Sequence, residues 1–114
     1  MKIYTKKGDS GKTSIIGASN LNKHNIKIEA YGTVDELNSL VGLLRSFEHP
    51  EFEIHKKELV LIQDLLFKIG SILASASDVN FPFSVTSKNI KELESFIDNI
   101  EVHLEKLTSF ILPG

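Results

Sequence analysis

Apolar residues recur at alternating steps of three and four in three stretches of this chain, and that rhythm decides most of what it can fold into. From about Ile28 to Phe47 the series is Ala30, Val34, Leu37, Val41 and Leu44. From about Phe52 to Ser77 it is Leu59, Ile62, Leu66, Ile69, Leu73 and Ala76. From about Ser87 to Ser109 it is Ile90, Leu93, Ile97, Ile100, Leu104 and Leu107. Such spacing gathers each series on one side of an α-helix. Narrow stripes of this kind pack against one another at shallow angles, the geometry of a bundle. The connections are short: His49-Pro50 first, then Asp78 to Thr86 with Pro82 inside it. Short connections make successive helices antiparallel. Ser87 is expected to cap the third helix, with Thr86 nearly as suitable. No strand alternates with helix, so a parallel sheet is not expected. The expected fold is all-α, an antiparallel bundle of three helices occupying residues 28–114.

Residues 1–27 have a different character. Ile3 and Tyr4 suit one short extended piece, then comes KKGDSGKTS, followed by Gly17, Asn20, Asn22 and Asn25. These residues break helices and favour turns, which predicts an irregular, Gly-rich arm. A loop of this length is uncommon in a small domain unless it has a task. Lys6 to Thr13, KKGDSGKT, comes close to the phosphate-binding pattern G-x-x-x-x-G-K-[ST]. Gly11, Lys12 and Thr13 match its end, but Lys6 stands where the first glycine belongs. The pattern also needs a strand before it and a helix behind it, and TSIIGASNLNKHN is a poor helix, so a P-loop NTPase is rejected. The chemistry of an anion site remains. Gly8 and Gly11 let backbone N–H groups approach a phosphate, and Lys6, Lys7 and Lys12 bring positive charge. Thr5, Ser10, Thr13 and Ser14 add hydroxyls. On composition alone, a solvated turn with surface lysines is the commoner meaning of such residues.

Other features narrow the function further. A length of 114 residues suggests one domain, and 41% hydrophobic with 25% charged residues is ordinary for a globular protein. With no cysteine, disulfides, thiolate metal sites and a catalytic thiol are excluded. A net charge of −2 argues against a nucleic-acid-binding domain. No apolar run reaches the length of a membrane span, and MKIYTKKGDSGK is not a secretory signal, so a cytoplasmic location is expected. His24, His49, His55 and His103 show no metal-ligand spacing. Asp35 follows Val34 on or beside the first apolar stripe, where a carboxylate needs a partner. Phe110, taken alone, is an aromatic for core or end packing.

In order along the chain, IYTKKGDSGKTS, Gly17, Lys23, EAYGTVDELNSLVGL, LFKIGSILAS, LESFID and SFILPG resemble the PduO-type ATP:cob(I)alamin adenosyltransferases. The matches span nearly the whole chain. The resemblance implies a helical bundle that assembles as a homotrimer, with the active site between subunits and the N-terminal arm wrapped around ATP. It carries nucleotide contacts onto Thr5, Lys6, Lys7, Gly8, Thr13, Ser14 and Lys23. It assigns Asp35 to an ion pair with an arginine from later in the family sequence. It places Phe110 under the corrin, where the aromatic ring keeps the lower ligand off cobalt. Three departures stand out. Lys7 occupies a position where the family usually has Thr, and Ala18, Ser19 and Asn20 replace a stretch that often carries basic residues. Family members also continue past L-P-G-G into helices carrying an R-x-x-x-R-x-x-E-R type motif, whereas this sequence stops at Gly114, so C-terminal truncation is expected.

The implied reaction moves the 5′-deoxyadenosyl group of ATP to cobalt of cob(I)alamin, giving adenosylcobalamin and triphosphate. The nucleophile belongs to the corrinoid, so no Ser, Cys or His nucleophile is required of the protein. Mg²⁺ is expected on the phosphates, with no metal site built from the protein. A cobalamin reductase is a candidate partner; nucleic acid and membrane are not. Two other functions remain open from the sequence: a helical oligomerisation module without activity, and an ATP-binding protein that performs no transfer.

Overall fold

A computed structural model describes residues 2–23, 25–76 and 79–113, with the backbone alone at 19–21. His24, Ser77, Asp78 and Gly114, all named above, lie outside the described residues. The elements in order are β1 (Lys12–Ile15), β2 (Ala18–Asn22), α1 (Ile26–Arg45), α2 (Pro50–Glu53), α3 (Lys56–Leu73) and α4 (Ser87–Glu101). They fall into two compact units, Met1–Ser84 and Val85–Gly114.

In the first unit α1 and α3 form the helical frame. Asn25 caps α1, its side chain accepting from the Lys27 N–H at 3.0 Å. Such a cap contributes about 1 kcal/mol. The two helices run antiparallel, since Lys27 meets Ser75 while Asn38 meets Gln63. Polar side chains stitch the pair at its middle. Asn38 Nδ2 donates to the Gln63 carbonyl and Gln63 Nε2 donates to the Asn38 carbonyl, both at 3.3 Å. Arg45 donates to Gln63 Oε1 at 2.5 Å. Gly42 makes room for this exchange, because a β-carbon there would stand 3.0 Å from Gln63 Nε2.

The second periodic stretch is divided, not continuous. Pro50 opens α2 early, its preset φ suiting the first helical position, and His49 Nδ1 accepts from the Glu51 N–H at 3.3 Å. His55 then stands at the cap position of α3, its ring 3.0 Å from the Glu58 carboxylate. At the far end α3 stops at Leu73, short of Ser77, because the next residues pair with the arm. Ile16 donates to the Ala74 carbonyl at 2.8 Å and accepts from the Ala76 N–H at 2.7 Å.

The arm is more regular than its composition suggests. β1 and β2 form an antiparallel hairpin pairing Lys12 with Asn22, Thr13 with Leu21 and Ile15 with Ala18, with a bulge between Thr13 and Ile15. Thr13 and Ile15 are half-buried while Lys12 and Ser14 are exposed, the alternation of a one-sided strand. Gly17 turns the hairpin with φ of +88°. A β-carbon there would also come within 2.8 Å of Val79 Cγ2, so both conformation and space demand glycine. Ile3 and Tyr4 lie outside any strand and are exposed.

In the second unit, α4 is capped by Thr86, whose backbone N–H donates to Asn89 Oδ1 at 2.9 Å, and not by Ser87. The helix ends at Glu101, before the expected Ser109. Its last turn tightens, with His103 donating to the Ile100 carbonyl and Leu104 to that of Glu101. Leu104 and Leu107 therefore fall outside the helix and are exposed. No apolar side chain among the described residues is fully buried, and Ser75 is the one buried polar residue, at 4% exposure.

Candidate functional site

The arm builds a hollow of about 420 Å³ lined by Thr5, Lys7, Gly8, Ser10, Lys12, Thr13 and Ser14. Consecutive turns shape it. Asp9 donates to the Lys6 carbonyl and Gly11 to that of Gly8, each at 3.2 Å, and Lys23 closes the ring by donating to the Gly11 carbonyl at 3.0 Å. Lys6 adopts a left-handed φ of +61°, an uncommon conformation for a residue with a β-carbon. Thr5 Oγ1 accepts from the Lys7 N–H at 3.4 Å.

Of the residues that the sequence nominates for nucleotide contact, Thr5, Lys7, Gly8, Thr13 and Ser14 line this hollow together. Lys23 joins them from the end of the hairpin, its ammonium packing over Gly8. Lys6 is turned the other way, its ammonium 5.9 Å from the centre of the Tyr4 ring. Ser10 and Lys12, which the sequence offered as a hydroxyl and a charge of the anion site but not among the nucleotide contacts carried over from the family, line the hollow as well. Their signal was the turn itself. Once Gly8 and Gly11 reverse the chain, Thr5, Lys7, Gly8 and Ser10 face the same space as Lys12, Thr13 and Ser14 of the strand. The result is a concave surface lined by Thr and Ser hydroxyls and lysine side chains, suited to a polyphosphate.

The hollow is held to the helical frame through its hairpin, by the Ile16 bonds to Ala74 and Ala76. Beside that joint lies a second, largely apolar groove of about 360 Å³ between α1 and α3, lined in part by Ile16, Tyr31, Val34, Phe67 and Gly70. Asp35 sits on its rim, exposed, and no cation among the described residues lies within ion-pair distance of its carboxylate. Asn38 Oδ1 is buried there without a hydrogen-bond partner among the described residues. Phe110 belongs to the second unit, in the segment after α4, and is 96% exposed. No group of three or more His, Asp or Glu side chains gathers among the described residues in a way that could hold a metal ion. No described helix is long and apolar enough to cross a membrane.

Comparison with known proteins gives this geometry a context. The corrinoid adenosyltransferase of Bacillus subtilis is 39% identical over 116 residues, covering 100% of this chain and 59% of its own length. Corrinoid adenosyltransferase PduO of Salmonella typhimurium is 40% identical, with 100% of this chain and 34% of that protein covered. The chain thus spans less than two thirds of either relative. Among solved structures, a variant of the PduO-type ATP:corrinoid adenosyltransferase from Lactobacillus reuteri, complexed with cobalamin and ATP, superposes with a TM-score of 0.87. It is 41% identical, and the match covers 99% of this chain and 64% of that one. Sequence comparison with protein families matches residues 3–114, the polar hollow and both helical units included, to the cobalamin adenosyltransferases. With that extent of agreement in sequence and in fold, the chain belongs to the cobalamin adenosyltransferase family.

Proposed function

We propose that the intact protein transfers the 5′-deoxyadenosyl group of ATP to the cobalt of cob(I)alamin, releasing triphosphate. The observation that carries this is the arm's hollow, where Thr5, Lys7, Gly8, Thr13 and Ser14 converge, with the ammonium of Lys23 over Gly8, in a chain whose solved neighbour from Lactobacillus reuteri is complexed with cobalamin and ATP. Co(I) donates an electron pair to the ribose C5′, the C5′–O5′ bond breaks, and its electrons leave with the triphosphate. The protein's contribution is alignment of the two reactants and stabilisation of charge on the departing phosphates. Lys12, which lines the hollow, and Lys23, whose ammonium lies over Gly8, suit the second task. Lys6 contributes through the turn that its left-handed backbone shapes. Mg²⁺ arrives with the nucleotide, as part of the co-substrate.

Asp35 and Phe110 act at the corrinoid side. Asp35 pairs with an arginine from outside residues 1–114, and its exposed position on the groove rim leaves it accessible to one. Phe110 occupies the lower face of the corrin, removing the axial ligand so that cobalt is more easily reduced. Its almost complete exposure in a single chain fits a side chain whose contacts come from substrate and neighbouring subunits. A homotrimer follows the same logic, since Leu37, Leu40, Leu43 and Phe67 present apolar surface that association removes from water. Co(I) survives only under reducing conditions, which favours a cytoplasmic enzyme supplied by a cobalamin reductase.

The test is product identity. The intact protein, given ATP, Mg²⁺ and chemically reduced cobalamin, is expected to yield adenosylcobalamin and triphosphate in equal amounts. ATP binding with no corrin product would instead identify a nucleotide-binding protein without transfer.

A further inference from the structure

We infer that Lys27 is a positioning residue for the phosphate-binding arm, acting through the carbonyl of Ser75. This rests on the arm's being the ATP site. Within the first unit, three elements meet at the short segment Ala74–Ala76. The hairpin turn takes its outer bonds, Ile16 donating to the Ala74 carbonyl at 2.8 Å and accepting from Ala76 at 2.7 Å. The Ser75 hydroxyl donates back to the Ile72 carbonyl at 2.5 Å, tying the segment to the end of α3. The Ser75 carbonyl, in the most buried residue of the described chain, accepts from Lys27 Nζ at 2.8 Å.

Lys27 is the second residue of α1, so this bond ties the start of α1 to the place where the hairpin is anchored. Two routes lead from there to the hollow. Ile16 follows directly on β1, whose Lys12, Thr13 and Ser14 line it. Lys23 precedes Lys27 by only four residues and is fixed at its other side to the Gly11 carbonyl. The Lys27 clamp therefore sets both walls at once: β1 through Ile16, and the Lys23 ammonium over Gly8 through the start of α1. A charged donor on a carbonyl is among the stronger hydrogen bonds, and its loss leaves a buried acceptor unpaired. A cradle held in place before the nucleotide arrives binds it more tightly, because less ordering accompanies binding.

The experiment compares wild type, Lys27→Met, Lys27→Gln and Lys27→Arg in the intact protein. It reads ATP affinity by calorimetry, turnover at saturating ATP, and hydrogen exchange at the Ile16 and Ala76 amides. Lys27→Met is expected to weaken ATP binding roughly tenfold while turnover at saturation changes less than about twofold. Exchange at Ile16 and Ala76 should rise, with the mid-helix amide of Leu66 unchanged. Lys27→Arg should restore all three readouts, and Lys27→Gln, which keeps a shorter donor and guards against a Met variant that does not fold, should fall between. Faster exchange at Ile16 and Ala76 with unchanged ATP affinity overturns the positioning role. Unchanged exchange overturns the clamp itself. Equal losses for Lys27→Met and Lys27→Arg do the same. A wild-type protein that takes up no ATP overturns instead the assignment of the arm to nucleotide, and the exchange rates then decide the clamp by themselves.

Discussion

Lys23 holds its ammonium over Gly8, so close that a β-carbon on Gly8 would stand 3.1 Å from Lys23 Nζ and 3.3 Å from the Lys12 carbonyl oxygen. The contact joins the two ends of the arm, with the first turn and the residue after β2 facing the same space.

A branched side chain at Gly8 must therefore displace Lys23 and press on the backbone of β1. Gly8→Val is expected to weaken ATP binding by roughly tenfold or more, the scale of losing one charged contact. Lys7→Ala should cost no more than about threefold, since an exposed lysine contributes little by charge alone. Calorimetric titration of both variants checks the order. Gly8→Val with wild-type affinity would remove the phosphate cradle from the account.

Much of the frame was legible in the sequence, because α1 and α4 follow from periodicity, which is a local property. What periodicity could not locate were the interruptions. The division at Ile54–His55 comes from Pro50 starting a helix of its own, and the end of α3 at Leu73 comes from Ile16, a partner nearly sixty residues away by number. The hairpin was hidden by its glycines and asparagines. Its strands are short, and the bonds from Ile16 to Ala74 and Ala76 that tie it to the end of α3 join residues far apart in sequence, which no local propensity reports. In the hollow, Thr5, Lys7, Gly8, Ser10, Lys12, Thr13 and Ser14 were all legible as a candidate anion site from the Gly-rich composition of the arm, whereas the turn bonds and the left-handed Lys6 that shape it are set by the folded backbone.

Gly17 is the pivot of that hairpin. Any β-carbon there meets Val79 at 2.8 Å and forces a left-handed backbone on an L side chain. Gly17→Ala is expected to destabilise the protein by about 1–3 kcal/mol, combining the conformational penalty with local overpacking. Denaturant unfolding checks it. A shift below about 0.5 kcal/mol would mean the arm is not coupled to cooperative unfolding.

The place proposed for Phe110 under the corrin can be tested by separating binding from reduction. Phe110→Ala should keep ATP affinity, since the contact proposed for it is with the corrin and not with the nucleotide. It should lose most activity when cob(II)alamin must be reduced in the assay and less when cob(I)alamin is supplied. Equal loss in both assays would make Phe110 a residue of general positioning.

The exposed apolar faces predict association. With Leu37, Leu40, Leu43, Phe67, Ile90 and Ile97 all exposed, a polypeptide of residues 1–114 should self-associate in solution. Sedimentation velocity across a range of concentrations is the check. A monodisperse monomer would show that these faces are tolerated in water and weaken the case for a homotrimer.

The central claim is that carbon 5′ of ATP moves to cobalt. The intact protein is mixed with cob(I)alamin and ATP carrying carbon-13 at C5′, and the products are followed by nuclear magnetic resonance. The account predicts that the label appears bonded to cobalt, with triphosphate released intact. Label remaining in ADP or AMP, with phosphate or pyrophosphate as the other product, would contradict it.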